Sequence, residues 1–288
     1  MVAQEVLDLL VKVRVLVGQP MKMKDRERDV VTGSPCERPV ALMLTYERPG
    51  SLLATVGSYW KTCDVPLYVF DDGSQDPQKQ GELRLVEAAG AHVMRMKHKG
   101  FARSWLEILR YARKNLTYFD SLVLLEDDLM FADGWLETLQ AMQRGITAHG
   151  LKQGMVSCLM PHDKPQGALM SLSGVEAYQS FGHTFQVNMM PWEVLKRFEV
   201  IQESVDEVLA TRSGHGLDIY LVGNLAHRLK RMSFVSTSSW VAHVGIDSIV
   251  ESQGFGSCRH CGNNLVPELE RIGDIWKNNW KNGQSYPS

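Results

Sequence analysis

Residues 121–131 read Ser-Leu-Val-Leu-Leu-Glu-Asp-Asp-Leu-Met-Phe, so three adjacent carboxylates, Glu126, Asp127 and Asp128, close a continuous apolar run. Carboxylates this close repel and raise one another's pKa unless a divalent cation or a cationic ligand holds them ionised. Residues 122–125 have the length and composition of a strand buried on both faces, which puts the triplet at its carboxyl end. In open α/β sheets that edge binds ligands. A helix start capped by Asp127 or Asp128 is the plain alternative, and it accounts for one carboxylate of the three.

Other residues with chemical potential fall at matching places. Asp71-Asp72-Gly73-Ser74 follows a second apolar run, and its carboxylates offer acceptors to a base or ribose unless this is an ordinary Asp-Gly turn. Thr45-Tyr46-Glu47-Arg48-Pro49 follows a third, and the planar fork of Arg48 suits phosphate or base. Arg48 could equally be a solvated surface charge. Lys97, His98, Lys99 and Arg103 form a basic cluster, as do Arg228, Lys230 and Arg231, so an anionic ligand is compatible with the chain. His243 follows a short apolar run and is a candidate metal ligand, although a lone histidine is more often structural. Asp218 opens a helical pattern over residues 219–229, as an N-cap or a functional carboxylate.

These groups need a scaffold, and the spacing supplies one. Strands are predicted over 40–44, 66–70, 91–96 and 122–125, with helices over 49–61, 79–89 and 103–116 between them. That alternation builds a parallel sheet covered by helices, a doubly wound α/β half. Residues 155–159 read as a further strand, and 180–186 as a loop and strand. The aromatic groups Phe181, His183, Phe185, Trp192 and Trp240 are ambiguous between core and ligand stacking.

Composition sets bounds. A chain of 288 residues with 44% hydrophobic and 22% charged residues can bury a sizeable core, and a formal charge of −2 gives no global reason to bind nucleic acid or an anionic membrane. Five scattered cysteines, with no segment suited to export or to spanning a bilayer, lead to the expectation of a reducing, cytoplasmic setting. Residues 1–38 are expected to be an extension and linker, 39–250 the catalytic domain, and 251–288 a loop and amphipathic helix, 267–280, packing on it. Cys258, His260 and Cys261 have the spacing of half a zinc site, with no second half evident nearby.

Taken together, the strand ends at Thr45 to Arg48, Asp71 to Ser74 and Glu126 to Asp128 resemble those of GT-A glycosyltransferases over roughly residues 39–250. The Glu-Asp-Asp cluster is similar to that of the N-acetylglucosaminyltransferases that initiate complex N-glycan branching. The Asp-Asp-Gly-Ser turn is similar to that of the large inverting family that includes cellulose and chitin synthases. The resemblance implies a GT-A, Rossmann-like, mostly parallel sheet flanked by helices, with a C-terminal acceptor or lid extension. It implies transfer of a sugar from a nucleoside-diphosphate-sugar to an acceptor hydroxyl, with Mn²⁺ or Mg²⁺ as cofactor. By the same resemblance Asp128 and His243 would hold the metal and Asp218 would be the base of an inverting reaction. Thr45, Arg48, Asp71, Asp72, Arg103, Glu126 and Asp127 would then contact the sugar nucleotide. The acceptor is expected to be a glycan, or modified DNA if the two basic clusters converge into a groove. A nucleotidyltransferase on a similar sheet is the alternative, which would ordinarily show a Gly-rich phosphate loop with a lysine after the first strand; residues 45–50 do not supply one.

Overall fold

Residues along the apolar runs divide between two cores, one on each face of the sheet. The computed structural model describes residues 38–160, 166–181, 186–211, 216–243 and, beyond these, 266, 267 and 269. In β1 (Pro39–Thr45) and β4 (Ser121–Glu126), Val40, Leu42, Leu122 and Leu124 enter one core, while Ala41, Met43, Val123 and Leu125 enter the other. Period-two alternation with both sets apolar is what a strand covered on both sides requires. The first core is covered by α3 (Phe101–Asn115) through Trp105, Ile108 and Leu109. The second is covered by α1 (Ser51–Thr62) through Leu52 and Val56, and by α2 (Pro77–Ala88) through Leu83 and Val86.

With β2 (Leu67–Asp71) and β3 (His92–Arg95), the first half alternates strand and helix in the expected order. Two helices start two residues earlier than expected. Asp76 caps α2 by accepting from the backbone N–H of Gln78 (2.8 Å) and Lys79 (3.0 Å), with Pro77 at the first helical position. The start of α3 is held by Asp72, which accepts from the N–H of Lys99 and Gly100.

The second half adds β5 (Leu129–Phe131), α4 (Trp135–Ala148), β6 (Gln153–Ser157), β7 (Gln166–Leu172), β8 (Val175–Ser180), β9 (Val187–Pro191), α5 (Trp192–Leu195), α6 (Phe198–Ala210), α7 (Leu217–Leu229), β10 (Met232–Ser236) and β11 (Val241–His243). Nine strands form one sheet in the order β3-β2-β1-β4-β9-β6-β10-β8-β7, and β11 pairs with β5 in a small second sheet. Parallel pairing joins β3, β2, β1 and β4, and again β6 and β10; β9 and β8 run the other way. The β7–β8 hairpin and the antiparallel insertion of β9 were not expected from sequence. After Asp128 the chain continues into β5 rather than a helix, which overturns the capping alternative for the triplet.

The carboxyl ends of β1, β2 and β4 stand side by side, with Thr45 opposite Asp71 and Leu44 opposite Glu126. Lys97, Lys99 and Arg103 follow β3 at this edge. Arg228, Lys230 and Arg231 lie where α7 turns into the amino end of β10, at the opposite edge, and Arg228 pairs with Glu203. The two basic clusters therefore do not converge, and the groove required for a DNA acceptor does not form. Trp192 and Trp240 pack partly buried against the two cores, whereas Phe181 is exposed. Among the described residues no helix is long and apolar enough to cross a membrane. The expectations for residues 1–37, His183, Phe185 and the Cys258, His260, Cys261 trio lie outside the described residues; of the expected helix 267–280, Leu269 is described and buried.

Gly73 makes the turn that carries Asp71 and Asp72. Its φ is +81°, and an added Cβ would come within 2.7 Å of the backbone nitrogen of His98. Gly73→Ala should lower the unfolding free energy by about 2 kcal/mol or more. Urea denaturation checks this, and a variant as stable as the parent would show that the turn relaxes without cost.

Candidate functional site

Asp127 is the innermost member of the triplet, with no solvent exposure. Its carboxylate accepts from the Nζ of Lys79 (2.7 Å), from Nη2 of Arg48 (2.8 Å), from the hydroxyl of Ser51 (3.2 Å) and from that of Thr45. Its backbone carbonyl accepts from Thr55 Oγ1 at 2.8 Å, and the same hydroxyl receives the N–H of Leu129 at 2.9 Å. Burial alone would push this carboxyl up; Lys79 and then Arg48 outweigh burial and hold it below the ordinary carboxylate range. Thr45 and Arg48, expected to contact a sugar nucleotide, are here engaged by the triplet, Thr45 on Asp127 and Arg48 on both Asp127 and Asp128.

Lys79 is the residue the sequence reading missed. It is fully buried on α2 and lies between Asp127 and the carbonyl of Arg48, 3.3 Å away. The signal was present: Lys79, Leu83 and Val86 recur at helical spacing on the face α2 turns to the core. A lysine on such a stripe needs a buried acid, and Asp127 provides it.

Asp128 differs from Asp127 in having one oxygen to spare. Its Oδ2 accepts from Arg48 Nη1 at 2.5 Å and lies 2.9 Å from Nε2 of His243, while its buried Oδ1 has no hydrogen-bond partner among the described residues. Burial opposes ionisation of Asp128, but Arg48 and then His243 hold its carboxyl well below the usual range. β11 brings His243 here: its pairing with β5 sets His243 opposite Leu129, the residue after Asp128. Glu126 completes the group. Ligand atoms of Glu126, Asp128 and His243 all lie within 4.8 Å of one another. Burial first, then the negative charge of Asp128, pushes the half-buried Glu126 carboxyl up to about 7. Two carboxylates and an imidazole converging, with a buried carboxylate oxygen unsatisfied, is a donor set that suits a divalent cation.

Asp71 and Asp72 reach the same edge and are engaged by the chain itself. Asp71 accepts from the N–H (3.2 Å) and hydroxyl (2.5 Å) of Ser74. Asp72 accepts from the N–H of Lys99 (2.9 Å) and Gly100 (3.0 Å) and from the hydroxyl of Ser104 (2.6 Å), and faces His98 at 3.0 Å. Arg103 is exposed on the first turn of α3, beside the Ser104 that holds Asp72. His98 in turn stacks on Tyr46, ring centroids 4.4 Å apart. Asp218 is half-buried on the first turn of α7. That helix leads directly into β10 and packs on β10 and β6, so its first turn stands at the edge where β4 ends.

No protein-family model and no curated protein matches the chain. Among solved structures it is similar to GalNAc-T7 with UDP, GalNAc and Mn²⁺, at 12% identity and a TM-score of 0.47 over 69% of this chain and 42% of that one. It is also similar to the mannosyltransferase PcManGT of Pyrobaculum calidifontis in complex with GDP-Man and Mn²⁺, at 14% identity and a TM-score of 0.40, covering 68% and 55%. A third is a putative glucose-1-phosphate thymidylyltransferase of Bacillus anthracis, at 12% identity and a TM-score of 0.45, covering 76% and 98%. The chain spans about half the length of the first two.

Lys79→Met leaves a fully buried carboxylate with one cation instead of two. It should cost about 3–5 kcal/mol of unfolding free energy, as expected when one partner of a buried ion pair is removed. Equilibrium urea unfolding measures it, and a loss below about 1 kcal/mol would mean that Arg48 alone suffices.

Proposed function

We propose that this chain is a divalent-cation-dependent glycosyltransferase that moves a sugar from a nucleoside-diphosphate-sugar to the hydroxyl of a glycan. The observation that carries the reading is the convergence of Glu126, Asp128 and His243 at the carboxyl edge of the sheet, with Asp128 Oδ1 buried and without a hydrogen-bond partner among the described residues. The motifs Glu126 to Asp128 and Asp71 to Ser74 resemble those of GT-A enzymes, and here they end the two strands, β4 and β2, that flank β1.

Asp128, Glu126 and His243 are the residues that would hold Mn²⁺ or Mg²⁺. Bound there, a hard cation offsets the negative charge that builds on a departing nucleoside diphosphate, without needing a proton donor. Arg48 supplies a guanidinium fork suited to phosphate oxygens. Asp71 and Asp72 fix the β2–α2 and β3–α3 connections, so their contribution to nucleotide binding is to shape the loops that face it. Arg103, exposed beside them, offers a further cation. Asp218 is assigned as base: an inverting transfer needs one carboxylate to take the acceptor's proton as its oxygen attacks the anomeric carbon. Its position on the first turn of α7, at the same edge as the ion site, supports that role. A nucleotidyltransferase is disfavoured by the β1–α1 connection, which turns Arg48 inward on Asp127 and Asp128 instead of presenting a glycine-rich cradle with a lysine.

A thermal-shift screen of nucleoside-diphosphate-sugars with Mn²⁺ should raise the melting temperature by about 5 °C or more at roughly a hundredfold excess over Kd. Asp128→Ala should not respond. Silence of the parent protein toward every sugar nucleotide would remove the assignment. Asp218→Asn should bind the same donor with the same shift yet lose transfer by about 10²–10⁴-fold. Near-normal turnover in that variant takes Asp218 out of the mechanism.

A further inference from the structure

The charges of the cluster do not balance with both a divalent ion and Arg48 in place. Asp127 is matched by the buried Lys79. Glu126 and Asp128 remain, carrying two negative charges when ionised, and the guanidinium of Arg48 already lies 2.5 Å from Asp128 Oδ2. A divalent ion cancels both carboxylates by itself. With Arg48 kept beside it, the group would carry an excess positive charge where little water reaches, which costs several kcal/mol at short range even at an effective dielectric constant of about 20. The geometry repeats the conflict. Asp128 Oδ2 is shared by Arg48 and by His243 Nε2, a nitrogen an ion could use.

We propose that Arg48 is a resident counter-cation competing directly with the divalent ion, and that a nucleoside diphosphate opens the site by drawing the guanidinium onto its phosphates. This rests on the reading of Glu126, Asp128 and His243 as an ion site and adds how that site is filled. Arg48 is built for such a change of partner. It sits on the β1–α1 connection, where Glu47 and Arg48 both have positive φ, 49° and 26°, a backbone that non-glycine residues hold only under outside restraint. The backbone is restrained at both residues: the Glu47 carboxylate accepts from the N–H of Gln75 (2.7 Å) and Asp76 (3.1 Å), the Glu47 N–H donates to Ser74 Oγ (2.8 Å), and the Arg48 carbonyl accepts from Ser51 Oγ (2.9 Å) and Lys79 Nζ (3.3 Å), which leaves the guanidinium as the part free to change partner. The Arg48 side chain keeps 18% of its surface exposed, whereas Asp127 and Lys79 have none. A diphosphate offers the guanidinium charged oxygens in exchange for those of Asp128. Ion and nucleotide then bind cooperatively, each raising the affinity of the other by the same factor.

The test is Mn²⁺ binding, read from the electron paramagnetic resonance signal of free Mn²⁺, for the parent, Arg48→Gln, Arg48→Lys and Asp128→Ala, with and without a panel of nucleoside diphosphates. Without nucleotide, Arg48→Gln should bind Mn²⁺ about tenfold or more tighter than the parent. Arg48→Lys, which keeps the charge, should stay near the parent, and Asp128→Ala should not bind. Addition of a nucleoside diphosphate should raise Mn²⁺ affinity in the parent and much less in Arg48→Gln. If Arg48→Gln folds poorly alone, Mn²⁺ should raise its melting temperature more than that of the parent, because the ion replaces the missing cation; no such rescue overturns the proposal. Equal Mn²⁺ affinity in parent and Arg48→Gln overturns the competition and leaves the ion site standing. Absence of Mn²⁺ binding in every protein overturns both. A panel in which no diphosphate raises the parent's affinity overturns release by nucleotide.

Discussion

Everything at the functional edge depends on keeping Asp127 ionised without water. A carboxylate with no exposure loses several kcal/mol of hydration. One opposite charge does not recover this unless the remaining lone pairs are also satisfied. Asp127 receives two cations and two hydroxyls, and each comes from a different part of the chain: Thr45 from β1, Arg48 and Ser51 from the connection and helix that follow, Lys79 from α2. The ion pair therefore joins three segments, and the position of β4's carboxyl end relative to β1 and α2 is set electrostatically as well as by strand pairing. Replacing the network by apolar groups of equal volume could be as stable, since buried ion pairs are weak sources of net stability. What such a replacement could not do is leave the next residue, Asp128, with a fixed direction.

The neighbouring turns extend the same logic. Asp71 holds its own turn through Ser74 and Asp72 holds the β3–α3 connection; Glu47 accepts from the turn that starts α2; Gly73 permits an approach of the chain to His98 that a side chain would block. Each turn at this edge is thus wired to another through a charged acceptor. Such preorganisation places polar groups before a ligand arrives, so their orientation is not a cost of binding. Arg103, exposed at the rim beside Ser104, is placed for contacts outside the fold.

The part of this arrangement legible in sequence is the part carried by local pattern. Residues 40–44 and 122–125 are apolar at every position, so their burial on both faces and the location of the triplet at a strand end followed from composition alone. The cap at Asp76 was readable too, because Asp-Pro before a helical stripe is a start signal, but the helix was placed two residues late. Lys79 was missed for a different reason: a charged residue counts against burial in any periodic reading, and only the partner 48 residues away makes its burial permissible. The β9 insertion and the β5–β11 pair were illegible because they are short strands whose partners are distant, so that pairing, and not propensity, decides them. His243 was a candidate by type, yet its approach to Asp128 follows from a register no local pattern encodes.

That division explains why the roles within the triplet sort differently from its spelling. Three adjacent carboxylates look equivalent in one dimension, but β4 ends at Glu126 and the chain bends through Asp127 and Asp128 before β5, so the side chains part. Asp127 lies toward α1 and α2, where Lys79 and Ser51 reach it, and so becomes part of the scaffold. Glu126 and Asp128 flank it and come together with His243 instead. Direction at this bend, not residue type, selects the pair that can act on a ligand. It also sets the charge available to that pair: because Lys79 is committed to Asp127, Arg48 is, among the described residues, the one cation that bridges both populations, touching Asp127 with one nitrogen and Asp128 with the other. A guanidinium with two partners on different faces can give up one and keep the second, and this is how a fixed scaffold and an exchangeable site can share a single side chain.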